Sequence, residues 1–96
     1  MPIFAVLPQN DISRNNMPGA VEREFPAHLQ LENHVWLVAS KGTAVDVSNK
    51  LGVTVKDEST PGPTGTAIVF EVGSYYGRAS TNVWAWVKAN WEAASG

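Results

Sequence analysis

The chain has 96 residues, enough for one hydrophobic core and no second one. Nine acidic residues against seven basic ones give a net charge of −2, and no two basic residues are adjacent. No concentrated positive surface of the kind that neutralises phosphates is present, so nucleic-acid binding is unsupported by charge. Cysteine is absent, which excludes disulfides, Cys-based zinc sites and thiol nucleophiles. Charged residues make up only 17% of the chain, yet it holds four tryptophans. Some of its surface is therefore expected to be covered, and oligomerisation is a common remedy for thin burial in so small a domain.

The run Ile3-Phe4-Ala5-Val6-Leu7, closed by Pro8, predicts a buried first strand. The N-terminus lacks the charged start and long apolar stretch of a signal peptide, and no segment reaches the length of a membrane span. A cytoplasmic location without membrane partners is the expectation. Gln9 to Met17 is polar and Asn-rich and reads as a loop. Asn16 is then the expected cap of a short helix carrying Pro18 near its first turn and stopped by Pro26.

His28-Leu29-Gln30-Leu31-Glu32 alternates apolar and polar residues, the mark of a half-buried strand. A turn at Glu32-Asn33 and a more apolar strand from His34 to Ala39 complete an antiparallel hairpin. Thr43 and Asp46 form a capping box for the next helix, with Ala44, Val47 and Leu51 on one face and Gly52 as its stop. Residues 53–66, with the polar, proline-rich stretch Lys56 to Pro63, predict a mobile surface loop. Thr66 to Val72 reads as a strand, Gly73 to Ala79 as a turn, and Ser80 or Thr81 as the cap of a last helix running to about Ala93.

The order strand, helix, strand, strand, helix, strand, plus one added C-terminal helix, predicts an α+β fold. It is the ferredoxin-like βαββαβ arrangement in a single domain over residues 1–96, one antiparallel sheet with helices on one face. The uncovered face would serve pairing with a second copy. The succession Leu29-Gln30-Leu31-Glu32-Asn33-His34-Val35-Trp36-Leu37-Val38, Thr43 to Leu51, Ala67 to Val72, Tyr76-Gly77-Arg78 and Val83-Trp84-Ala85-Trp86-Val87-Lys88 resembles the SinR-like proteins. These are small bacterial chains related in fold to the second integration subunit of CRISPR systems, and the resemblance covers roughly residues 28 to 92. It implies a ferredoxin-like homodimer. It does not imply nuclease activity, because the CRISPR relatives carry an aspartate at the end of the first strand where this chain reads Leu7-Pro8-Gln9.

Four groups of residues are candidates for chemistry. His28 and His34 flank Glu32; they are either a metal or proton-shuttle pair or two strand histidines without a third ligand, and the second reading is preferred because a catalytic zinc needs three protein ligands. Asp11, the carboxylate nearest the first strand, falls in the expected flexible loop and is not expected to be catalytic, since catalytic carboxylates are held by rigid elements. Tyr75, Tyr76, Gly77 and Arg78 precede a helix N-terminus, where an anion is favoured, and are the candidate ligand-binding residues; alternatively the tyrosines wedge the helix onto the sheet. Trp84, Val87 and Trp91 share a helical face and read as core. Trp86 points elsewhere and is the candidate dimer-interface residue. No catalytic set, cofactor or metal is expected. The expected role is that of a non-catalytic interaction or accessory protein, with a small anionic ligand or nucleic-acid binder using the Tyr75–Arg78 turn as the alternative and a metal-dependent nuclease as the least favoured reading.

Overall fold

The computed structural model describes residues 1–54 and 62–95, so half of the loop expected over 53–66 lies outside the described residues. Strand β1, Ile3–Pro8, pairs antiparallel at both edges and packs against helices on both faces of the sheet, and so carries apolar residues on both. Val72 donates its N–H to the Ile3 carbonyl at 2.8 Å and Gln9 to the Thr66 carbonyl at 2.9 Å. Odd-numbered positions of β1 therefore turn their backbone towards β4. Pro8 faces the opposite side, where pairing with β3 has already ended at Val6↔Trp36. Its missing N–H costs no ladder bond.

Helix α1, Asp11–Glu24, corrects the expectation of a loop to Met17 and a cap at Asn16. The actual signal is Asn10 with Ser13. The Asn10 side chain accepts from the Ser13 N–H at 2.9 Å, and the Asn10 N–H donates to Ser13 Oγ at 3.2 Å, a reciprocal cap built without the usual Glu. Ser13 is fully buried. Asp11 adds a favourable charge to the first turn and pairs with Arg14 at 3.1 Å. Pro18 then falls inside the helix rather than near its start, and cannot donate to the Arg14 carbonyl. The helix continues because Met17, Ala20 and Val21 are buried on one side of it, and that packing outweighs the missing bond. Phe25, extended and buried, closes the helix just before Pro26.

Strands β2, His28–Gln30, and β3, Trp36–Ala39, form the expected antiparallel pair. Their connection is longer than a tight turn. Leu31 bonds Val35, and Glu32–His34 forms a 3₁₀ turn in which Asn33 and His34 both take positive φ, 60° and 63°. Helix α2, Ala44–Leu51, has the capping box read from the sequence, with Thr43 and Asp46 bonded reciprocally. It stops at Gly52, whose φ of 78° is left-handed. The Thr64 hydroxyl donates to the Leu51 carbonyl at 2.5 Å in a buried contact, tying the chain after the loop to the end of α2. Strand β4, Ala67–Glu71, and helix α3, Thr81–Ser95, complete the chain.

The four strands form one antiparallel sheet in the order β2-β3-β1-β4, the ferredoxin-like arrangement expected. Alternation along β1 and β3 divides the interior into two. Phe4, Val6, Trp36 and Val38 meet Met17, Val21, Val47 and Leu51 of α1 and α2 on one face. Ile3, Leu37 and Ala39 meet Val87 of α3 on the other. The two helices of the βαββαβ unit thus share one face, and the added α3 lies over the opposite one. It does not cover that face entirely: on β4, Ile68 and Phe70 remain 45% and 54% exposed, while their neighbours Ala67 and Val69 turn towards α1 and α2. No described helix is long and apolar enough to cross a membrane.

Candidate functional site

The connection between β4 and α3 is built around Tyr75. Its ring stacks on Trp84 at 5.8 Å between centroids, and meets Trp91 edge-on at 5.1 Å. The two tryptophans are seven residues apart and so lie on one side of α3. Tyr75 therefore packs on α3 through both tryptophans while staying 41% exposed. Tyr76 is fully exposed. Gly77 has a φ of 143°, and nothing lies within 4 Å of where a Cβ would sit; backbone conformation, not lack of space, favours glycine there. The Ser80 carbonyl accepts from the Val83 and Trp84 N–H groups and starts the helix.

Between this connection, the sheet and α3 lies a cleft of about 600 Å³, within the range of small-molecule sites. Ile3 and Leu37 form part of its sheet wall, Val83, Trp84 and Val87 its helix wall, and Tyr75 and Arg78 its outer side. Glu32, from the β2–β3 connection, lines it as well. Arg78 is exposed and has no ion pair among the described residues. Of the four residues singled out in the sequence, the fold brings Tyr75 and Arg78 into this cleft, and leaves Tyr76 and Gly77 out of its lining. Leu31, Glu32 and Val35 were missed. No local signal marks them, because the cleft exists only once α3 crosses the second face of the sheet.

The other candidates lie elsewhere. His28 Nδ1 is 2.6 Å from the Phe25 carbonyl and its ring is 5.9 Å from that of Trp36, so its environment is a strand-edge packing contact. His34 is exposed in the 3₁₀ turn. Among the described residues no group of three His, Asp or Glu is placed to hold a metal ion. Asp11 is the first residue of α1 and not part of a loop, which corrects the premise on which its catalytic role was discounted; its carboxylate is engaged by Arg14. Trp86 is half-buried against the second core cluster, with Val83, Val87 and Trp91, so its own chain supplies part of the cover that a partner was expected to give. Compared with known proteins, the chain matches no family model, no curated protein and no solved structure.

Proposed function

We propose that the protein is a homodimeric interaction or accessory domain, not an enzyme, and that it pairs through the β4 side of its sheet. The observation that carries this reading is the exposure of Ile68 and Phe70 side by side on one face of an edge strand. An edge strand with large apolar side chains is a template for association unless something covers it. The backbone register adds a second argument. Because Thr66 and Val72 bond β1, Ala67, Val69 and Glu71 direct their N–H and C=O groups outward. Two copies meeting edge to edge about Val69 would satisfy these groups, and would set Phe70 of one copy beside Ile68 of the other. The half-buried Trp86 lies on the same face of the sheet and would extend the apolar surface. The resemblance to SinR-like proteins implies a homodimer and so supports pairing, though not this surface in particular.

The non-enzymatic part of the reading rests on the engagement of the polar candidates. His28 is held by a backbone carbonyl and Asp11 by Arg14. Sedimentation velocity of the purified protein at micromolar concentration is expected to give twice the chain mass of 10.4 kDa. A monomer that persists on concentration would end the proposal.

A further inference from the structure

We infer that the cleft between the β4–α3 connection and the sheet binds a small monoanion, an apolar or aromatic body carrying one carboxylate. This goes beyond the proposed pairing and does not depend on it. The cleft is half open and offers about 600 Å³, room for a small organic molecule. Its walls are chiefly apolar: Ile3 and Leu37 from the sheet, and Val83 and Val87 from α3. Trp84 lines the cleft as well and is oriented by the stacked Tyr75, adding aromatic edge and surface to the walls.

Charge selects the head group. Arg78 lines the cleft with its guanidinium unpaired among the described residues, and a guanidinium fork matches a carboxylate through two parallel hydrogen bonds. The first turn of α3, at the same end of the cleft, contains no acidic residue, and its leading N–H groups have no intrahelical acceptor. Glu32 also lines the cleft. With Arg78 the one cation among the described residues that line the cleft, a single carboxylate is neutralised there and a doubly charged phosphate ester is not, and this decides between the two anions. Binding would be non-covalent, with the apolar body displacing water from the walls and the carboxylate anchored at the mouth.

The test is a titration of the isotope-labelled full chain, followed by amide and indole NMR shifts, with three probes: 4-phenylbutanoate, its neutral amide 4-phenylbutanamide, and phenyl phosphate. The carboxylate is expected to move the Arg78, Asn82 and Val83 amides and the Trp84 indole, and to bind about ten-fold more tightly than the amide, as one charge-assisted contact supplies. Arg78→Ala should abolish that preference, leaving carboxylate and amide equal in affinity, and Arg78→Lys should restore it only in part. Arg78 is exposed and unpaired, so both variants are expected to fold. Absence of cleft shifts with every probe at millimolar concentration would overturn the site. Equal binding of carboxylate and amide, or tighter binding of phenyl phosphate, would overturn the ligand class. Because the shifts are read on whichever species is present, monomer or dimer, failure here is distinct from failure of the pairing proposal.

Discussion

Phe70 offers the sharpest test of the β4 interface, because it sits half in the monomer and half outside it. A Phe side chain has roughly 150–250 Å² to bury. The 54% that is exposed therefore leaves roughly 80–135 Å² for a partner, on that same scale. At ~25 cal/mol per Å² this amounts to about 2–3 kcal/mol per copy, and a two-fold interface counts it twice. Interfaces bury such residues incompletely and return only a surplus over ordering costs. An expected loss of about 2–3 kcal/mol in all, or roughly 30- to 150-fold in Kd, is the working figure. The substitution is Phe70→Lys, whose methylene stem still covers the strand while its charge blocks edge pairing. Its cost to the monomer should not exceed about 1 kcal/mol, the span of strand propensities. Sedimentation velocity over a dilution series reads the association, and thermal melting by circular dichroism reads the fold. Tyr76→Lys, at an exposed position off the sheet, serves as the control and should change neither. If Phe70→Lys leaves the dimer constant within about two-fold of the parent, where the area argument requires much more, the interface lies elsewhere.

Gly52→Ala should cost about 2–3 kcal/mol, or roughly 10–20 °C in Tm, since a left-handed alanine is strained and the lost buried hydrogen bond adds to it. The reason is local: a Cβ at Gly52 would lie 2.6 Å from the Thr64 hydroxyl that holds the Leu51 carbonyl. Gly73→Ala, where no atom lies within 4 Å, should stay within about 0.5 kcal/mol in the same melt. Asn10→Ala removes one half of the cap on α1 and should lower stability by about 1–2 kcal/mol in urea titrations; no measurable change would mean that Ser13 alone starts the helix. Tyr75→Ala gives up two aromatic contacts and should cost about 1–3 kcal/mol, against almost nothing for Tyr76→Ala. Equal effects would contradict this packing.

The ferredoxin-like order was legible because its signals are local. Thr43 and Asp46 announce α2, Gly52 ends it, and alternating apolar residues mark the hairpin. The start of α1 escaped for a reason that is also local: Asn10 with Ser13 caps through the same geometry as Ser with Glu, but an Asn-rich stretch reads first as a loop. Pro18 reinforced the error, since proline is commoner in a first turn than in a helix interior. Only tertiary burial of Met17, Ala20 and Val21 overrides it. At the candidate site, Tyr75 and Arg78 could be singled out from the turn between a strand and a helix. Their neighbours Glu32 and Val35 could not. Helical periodicity places Trp84, Val87 and Trp91 on one side of α3 but does not say which face of the sheet α3 will cover.

Because the sheet stands between two unequal interiors, its two sides are expected to differ in how readily they open. Among the described residues, the layer under α1 and α2 holds eleven buried residues, whereas the layer under α3 holds four, with nine more only partly buried. Local opening is expected to follow the thinner layer, with α3 and Tyr75 leaving the sheet before the rest of the fold. The cleft then disappears as a binding site before the protein unfolds, and any molecule held there stabilises the docking of one helix, not the whole chain. The same opening bares Ile3, Leu37 and Ala39 beside the already exposed Ile68 and Phe70. Ligand occupancy and exposure of sticky sheet surface are thereby set against each other through a single helix.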